Sequence, residues 1–202
     1  MKKEIAYFMR RLYRQKLSTT SGGNISAREN GFIYITPSEV DKGEMKTEQV
    51  GKVDLEGNII ESSHKLSIET AMHLAIYKAR PDIKAIVHAH PPYATSYASS
   101  NKKLNSALTS EGRLILGNIA YADYALMGTD DLAKVVAKAS IDSNVILMEN
   151  HGVIALGKSL LKAFDRLEVL EFTAKMNFIT ETLNMRVPLT KEQLTEIDKL
   201  SQ

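Results

Sequence analysis

Two histidines occupy alternate positions in the apolar run KAIVHAHPP, residues 84 to 92. The run is apolar and ends at a pair of prolines, which predicts a short strand that stops abruptly. Residues two apart on a strand point to the same face of the sheet, so His88 and His90 present two imidazoles side by side. That arrangement can hold one metal ion. The alternative is two structural histidines, each with its own hydrogen bond.

A third histidine, His151, lies in ENHG between the apolar runs VILM and VIAL. These runs predict a β-hairpin, and the glycine after His151 allows a tight turn at its tip. If that tip meets the mouth of the sheet that carries His88 and His90, the three imidazoles form a catalytic zinc site with one open position. The chain has no cysteine, so any metal must be bound by His, Asp or Glu.

Glu69 and His73 lie one helical turn apart in SIETAMHLAIYKARPD. This segment predicts a helix that begins with Ser67 as its N-cap and ends before Pro81. Glu69 and His73 share a face beside the apolar stripe. One interpretation is a solvated pair on the helix surface. The other places Glu69 at the metal, as a ligand in the empty site or as an acid/base when substrate is bound. The predicted apolar stripe consists of Ile68, Ala71, Met72, Ala75, Ile76 and Ala79.

The loop TSGGNIS offers backbone N–H groups at its glycines, with Ser21 and Asn24 as side-chain donors. Such a concave group of N–H donors can bind phosphate. The same composition is also typical of a simple turn. Taken alone, the loop leaves both interpretations open.

The elements around these residues predict an α/β fold of the α+β type, with a central, mainly antiparallel sheet flanked by helices in a single domain. Helices are expected at the N-terminus, near 93–100, over 129–138, over 159–183 and over 191–200. The N-terminal helix has an apolar stripe of Ile5, Phe8, Met9, Leu12 and Tyr13. Strands are expected in FIYITPS, in the hairpin KVDLEGNII, and in LIL and IAYADY.

Composition narrows the function classes. The chain has 202 residues, 44% of them hydrophobic and 25% charged, with a formal net charge of +2. That charge is too small to indicate nucleic-acid binding. No run approaches the roughly 18 apolar residues of a membrane span, and the N-terminus has no signal-peptide core. We therefore expect a cytoplasmic protein without nucleic-acid or membrane partners.

Taken in order, SGGNIS, ITPS, SIETAMHLAIYKARPD, IVHAHPP and ENHG resemble the motifs of the class II aldolase/adducin family. The resemblance covers about residues 1–180, and we expect residues 1–202 to form one domain of this type. It implies that His88, His90 and His151 bind one Zn²⁺ per subunit. It also implies that Glu69 is both a metal ligand and the catalytic acid/base.

The resemblance further implies a phosphate pocket, with two departures from the pattern of the family's sugar-phosphate aldolases. This chain has Glu39 where they have glycine, and Ile68 where they have a second serine. Their C-terminal segment carries tyrosine and arginine, which are missing here, and Glu111 is a candidate polar group facing the site. The residues that match the phosphate pocket are Ser21, Gly23, Asn24, Ser38 and Ser67.

The implied activity is a zinc-dependent aldolase that reversibly cleaves a ketose 1-phosphate, such as L-fuculose 1-phosphate, to dihydroxyacetone phosphate and an aldehyde such as lactaldehyde. Three other reactions on the same site stay open: dehydration of methylthioribulose 1-phosphate, 4-epimerisation of a pentulose 5-phosphate, and decarboxylation. A non-catalytic adducin-like interaction domain is a further alternative. The resemblance also implies a homotetramer with active sites between subunits.

Overall fold

The computed structural model describes residues 1–184 and 187–200, which form one sheet of eight strands with seven α-helices around it. The helices are α1 (Lys2–Arg14), α2 (Thr70–Ala79), α3 (Pro92–Ala98), α4 (Ser110–Leu116), α5 (Asp130–Ala139), α6 (Leu160–Thr182) and α7 (Lys191–Lys199). The strands are β1 (Asn24–Glu29), β2 (Phe32–Ile35), β3 (Gly51–Val53), β4 (Ile59–Glu61), β5 (Ala85–Ala89), β6 (Ile119–Ala122), β7 (Val145–Met148) and β8 (Gly152–Gly157).

The sheet has the strand order β4-β3-β2-β1-β5-β8-β7-β6. All neighbouring strands are antiparallel except β6 and β7, which are parallel. The predicted mainly antiparallel sheet is therefore confirmed. Its two central neighbours, β1 and β5, bring Asn24 directly opposite His88, while β8 places Ile154 on the other side of His88.

Helices cover both faces of the sheet, and β5 contributes to the core on each side. Val87 packs in a cluster with α1, α3 and α6, whereas Ile86 packs in a second cluster with α2 and α5. Because side chains alternate along a strand, His88 points to the same side as Ile86, toward α2. The pattern of β5 therefore directs the histidine pair to the helix that carries Glu69.

Most predicted elements are confirmed within a residue or two, but the strand predicted at LIL is wrong. These residues, 114–116, form the end of α4. Thr109 caps this helix by accepting a hydrogen bond from the backbone N–H of Gly112 at 3.1 Å. Gly117 ends it with a φ of 58°, a left-handed conformation that favours glycine. A three-residue apolar run fits either a strand or a helix turn. Here the cap at Thr109 favours the helix.

The prediction for α2 is wrong in two respects. The helix begins at Thr70, so Ser67 is not its N-cap; the backbone N–H of Thr70 instead donates to the carbonyl of Ser67 at 3.0 Å in a preceding turn. The buried face also differs from the predicted stripe, because Ile68, Ala71 and Ala79 are exposed. The residues that α2 buries are Met72, His73, Leu74, Ile76 and Tyr77.

In α1, Ile5, Phe8, Met9 and Leu12 are buried as predicted, but Tyr13 is 38% exposed. None of the helices in the described residues has the length and apolar character needed to cross a membrane.

Candidate metal centre

The three predicted histidine ligands lie together at one end of the central strands. The ring centroids of His88 and His90 are 4.7 Å apart, those of His88 and His151 are 5.0 Å apart, and those of His90 and His151 are 5.6 Å apart. Their nitrogen ligand atoms all lie within 4.8 Å of one another. The structure therefore brings together the set that spacing alone left open.

Local backbone conformation places His151 beside the other two. The chain turns between β7 and β8 at Asn150, which has a φ of 52°. Asparagine is one of the few residues other than glycine that tolerates this left-handed region. The backbone N–H of His151 then donates to the carbonyl of Met148 at 3.1 Å, which closes the turn before β8 begins.

The hydrogen bond of His88 determines which of its nitrogens faces the site. Nδ1 lies 3.0 Å from the carbonyl oxygen of Val153, which can only accept, so Nδ1 carries the proton. In the neutral ring, Nε2 then presents a lone pair, and it lies 3.2 Å from Oε2 of Glu69. Two acceptor atoms face each other in a buried site only when a cation lies between them. A proton or a metal ion meets this requirement.

Other buried atoms point to the same position. Oε1 of Glu69 lies 3.0 Å from Nε2 of His151, yet both Oε1 of Glu69 and Nε2 of His88 are buried without a hydrogen bond of good geometry. Buried polar atoms without hydrogen-bond partners call for an explanation, of which a bound ion is one. Three imidazoles and a carboxylate are the donors that Zn²⁺ accepts in proteins, so the residues present fit the metal that the sequence predicts.

The environment of Glu69 favours its carboxylate form. Glu69 is 6% exposed, and the side-chain amide of Asn24 donates a hydrogen bond to its Oε2 at 2.7 Å. Burial alone would raise the pKa of Glu69, but positive charge at His88 and the close contact of His151 hold that pKa well below its usual range. Glu69 is therefore stable as a carboxylate when the histidine cluster is positively charged, by a proton or by a bound metal ion.

Burial keeps His90 neutral. Desolvation, together with the neighbouring charge at His88, lowers the pKa of His90 to about 3. A histidine must be neutral to bind a metal ion, so this ring is in its ligand form at ordinary pH.

His73 does not form the solvated pair with Glu69 that one interpretation of the sequence gives. Its side chain is fully buried, and Nδ1 lies 2.6 Å from the hydroxyl of Ser26, which in turn lies 2.9 Å from the hydroxyl of Tyr77. Burial lowers the pKa of His73 to about 3, so the ring is neutral. This hydrogen-bonded chain anchors α2 to β1 one turn beyond Glu69. The sequence analysis did not predict it, since Ser26 is distant in the chain.

The predicted phosphate-binding residues line one cavity of about 310 Å³ next to the histidines. Gly23 has a φ of 68°, and a Cβ there would lie 2.8 Å from the carbonyl oxygen of His88, so only glycine fits. Asn24 has a partner that the sequence did not predict, the carboxylate of Glu69. The residues of the predicted pocket that line this cavity are Ser21, Gly23, Asn24, Ser38 and Ser67.

The two departures from the family pattern lie at the rim of the same cavity. The side chain of Glu39 is 76% exposed and its carboxylate lies 3.2 Å from the ammonium of Lys65, so its charge is turned toward solvent. Ile68 is 50% exposed and offers only its backbone N–H, which donates to the hydroxyl of Ser38 at 3.3 Å. Glu111 is exposed in the first turn of α4 and does not line this cavity within one chain, so its place at the site stays a prediction.

One cavity residue, Lys42, was missed by the sequence analysis. Lysine is almost never fully buried without a partner, so a single lysine in a polar segment predicts a solvated side chain. The only signal in the sequence is its place shortly after ITPS.

We predict that Gly152→Ala weakens zinc binding. A Cβ at Gly152 would lie 2.5 Å from Cδ2 of His90 and 2.7 Å from the carbonyl oxygen of Ala89, so the His90 ring must move. Displacing one ligand is expected to lower zinc affinity on the order of 10- to 100-fold, as measured by competition with a chromophoric chelator. Gly31→Ala is the control. It strains the backbone, which has a φ of 81° there, but the new Cβ would meet no atom within 4 Å, so zinc affinity should not change. Unchanged affinity in Gly152→Ala would remove His90 from the ligand set.

The fold and the histidine centre together define a known class of protein. Residues 3–178 match the family Class II Aldolase and Adducin N-terminal domain. The chain belongs to this family, whose class II aldolases are metal-dependent lyases.

The similar proteins have names that agree on sugar phosphates and differ in the reaction. The chain is 40% identical over 178 residues to L-fuculose phosphate aldolase of Methanocaldococcus jannaschii, which covers 88% of this chain and 96% of the relative. It is 34% identical to 5-deoxy-D-ribulose 1-phosphate aldolase of Bacillus thuringiensis serovar kurstaki, and the match covers 98% of this chain and 93% of the relative. It is 30% identical to 3-oxo-tetronate 4-phosphate decarboxylase of Haemophilus influenzae, and that match covers 94% of this chain and 91% of the relative.

Solved structures include a close match in fold. A structure of L-fuculose 1-phosphate aldolase has a TM-score of 0.91 and 33% sequence identity, covering 100% of this chain and 96% of that one.

Proposed function

We propose that the protein is a zinc-dependent aldolase that reversibly cleaves a ketose 1-phosphate to dihydroxyacetone phosphate and an aldehyde. L-Fuculose 1-phosphate, with lactaldehyde as the aldehyde product, is the substrate that the similarity to L-fuculose phosphate aldolases favours. Cleavage breaks the bond between C3 and C4 while the C4 hydroxyl gives up its proton to a base and becomes the aldehyde carbonyl. The pair of electrons stays on the dihydroxyacetone phosphate fragment, which then takes up a proton at C3.

The observation that carries the proposal is a buried carboxylate facing three histidines at the end of a cavity lined with phosphate-type donors. Oε2 of Glu69 lies 3.2 Å from Nε2 of His88, and Oε1 lies 3.0 Å from Nε2 of His151. The same cavity is lined by Ser21, Ser38 and Ser67. His88, His90 and His151 would hold a divalent cation, which would act as a Lewis acid toward a carbonyl and offset the negative charge that develops on the fragment.

The protein's own residues then bind the substrate and move a proton. The serine hydroxyls and the backbone N–H groups of the glycine loop bind the phosphate, which fixes the sugar at one end. Glu69, stable as a carboxylate, removes the proton from C3 in the condensation direction and returns it in the cleavage direction. Asn24 donates to Oε2 of Glu69, which also faces His88, so this hydrogen bond orients the carboxylate and leaves Oε1 beside His151.

A decarboxylase is the second candidate, because a relative of that name matches 94% of the chain. Both reactions generate negative charge next to a carbonyl, and the same centre can stabilise it in each case. They differ in the group that leaves, an aldehyde or carbon dioxide. A non-catalytic adducin-like domain has less support, since such a domain does not need three converging imidazoles around a buried carboxylate.

A panel of phosphorylated substrates distinguishes these reactions. Zinc-loaded protein would be incubated with L-fuculose 1-phosphate, 5-deoxy-D-ribulose 1-phosphate, methylthioribulose 1-phosphate, a pentulose 5-phosphate and 3-oxo-tetronate 4-phosphate. The proposal expects dihydroxyacetone phosphate and an aldehyde from the first two. Carbon dioxide from the last substrate, with no dihydroxyacetone phosphate from any of them, would replace the aldolase assignment with the decarboxylase.

The assembly and location of the protein also belong to this proposal. We propose a homotetramer in which neighbouring subunits complete the active sites, on the resemblance to the family alone. The cytoplasmic location stays a prediction from the sequence.

A further inference from the structure

Lys42 is a fully buried lysine beside the substrate cavity. Lys42 is 1% exposed and has one of the largest fully buried side chains in the described part of the protein. The backbone N–H of Lys42 donates to the carbonyl of Thr20 at 2.9 Å, and its ammonium donates to the carbonyl of Pro37. Lys42 therefore lies between the glycine loop and the loop that carries Ser38.

Within the part of the chain that the structure describes, the ammonium of Lys42 has no acidic partner. Among residues 1–184 and 187–200, no carboxylate oxygen lies within 4 Å of Nζ, although Lys65 at the cavity rim is paired with Glu39. An isolated buried charge is costly, so natural proteins pair such groups or place them where a charged ligand binds. Burial lowers the pKa of Lys42 to about 8, which leaves the ammonium as the main form at neutral pH.

The position of Lys42 fits an anion held by the serines. Lys42 lines the cavity together with Ser21, Ser38 and Ser67. An ammonium has three N–H donors, and the carbonyl of Pro37 takes one of them. Pro37 directly precedes Ser38, so the ammonium of Lys42 is bonded to the segment that carries a predicted phosphate ligand.

We infer that Lys42 binds the phosphate group of the substrate and is the counter-ion for its charge. This role would offset the two departures at the rim, since Ile68 offers no side-chain donor and Glu39 adds a negative charge. The inference rests on the proposed function, because it assigns a residue to the phosphate end of the same site. It names a binding residue that the sequence analysis did not include.

The test measures the binding of inorganic phosphate to zinc-loaded protein by isothermal titration calorimetry at constant ionic strength. Methionine has nearly the shape of lysine without its charge, so Lys42→Met is expected to fold. Loss of a charged hydrogen-bond donor should raise the Kd for phosphate on the order of 10- to 100-fold. Lys65→Met removes the same charge from an exposed position at the rim and should leave the Kd within about twofold.

A measurement on the unsubstituted protein covers the case in which Lys42→Met does not fold. In protein with ¹⁵N-labelled lysine, phosphate should shift the NMR signal of the Lys42 ammonium and leave that of Lys65 unchanged. Phosphate affinity within twofold in Lys42→Met, no Lys42 shift, or no phosphate binding by the unsubstituted protein would each overturn the inference. Turnover is not needed for either readout. Failure of the aldolase proposal appears separately, as absence of dihydroxyacetone phosphate release by protein whose phosphate binding depends on Lys42.

Discussion

Replacing His88 by alanine is expected to weaken zinc binding strongly and to lower the rate of dihydroxyacetone phosphate release about a thousandfold. His88 is fully buried, its Nδ1 is committed to the carbonyl of Val153, and its Nε2 faces Glu69. His90 and His151 would then need Glu69 as the third ligand, and a carboxylate bound to the metal in this way is no longer free to act as acid/base. Loss of a Lewis acid costs several kcal/mol of transition-state stabilisation, which corresponds to the expected change in rate.

The matched control is His64→Ala, since His64 is an exposed histidine outside the cluster. Zinc per chain would be measured by elemental analysis after gel filtration, together with the thermal midpoint of unfolding for each variant. His64→Ala should keep one zinc per chain. If His88→Ala also kept one zinc per chain with unchanged affinity, the metal would lie elsewhere and the candidate centre would be wrong.

Glu69→Gln is expected to keep zinc and to lose activity. Glutamine has the same shape, and its amide oxygen can accept the hydrogen bond that Asn24 donates at 2.7 Å to Oε2 of Glu69. The three histidines remain, so zinc stays bound. The amide cannot accept a proton, so kcat should fall on the order of 10²- to 10⁴-fold, the range of general acid–base catalysis.

Glu39→Gln provides the comparison, because it removes the same charge from the rim of the same cavity. The Glu39 side chain is 76% exposed and takes no part in the proposed proton transfer, so kcat should stay within a few-fold of the unsubstituted protein. Steady-state kinetics on L-fuculose 1-phosphate would give kcat and KM for both variants. Near-normal kcat in zinc-loaded Glu69→Gln would show that another group moves the proton.

The histidine cluster could be predicted in part from the sequence, because the geometry of two of its three members is local. Alternation along a strand puts His88 and His90 on one face without any knowledge of the rest of the chain. The position of His151 depended on the hairpin between β7 and β8, which two apolar runs indicate. The tip of this hairpin reaches His88 and His90 because of the order of the strands in the sheet. Only the resemblance to the family indicated that order.

The predictions that were wrong depend on contacts that no local pattern contains. The run at 114–116 is helical because Thr109 caps α4, and α2 begins late because a turn at Ser67 precedes it. The exposed Glu69–His73 pair was a reasonable alternative on helical spacing, but the hydroxyl of Ser26 holds His73 inside. The burial of Lys42 likewise follows from two loops that approach each other.

The most direct test of the metal-dependent aldolase is release of dihydroxyacetone phosphate from L-fuculose 1-phosphate by three preparations of the same protein: zinc-loaded, stripped by a chelator, and stripped and then reloaded. We expect release from the loaded protein, loss on stripping and recovery on reloading, with about one zinc per chain at full activity. Undiminished release from protein shown to contain no metal would contradict it.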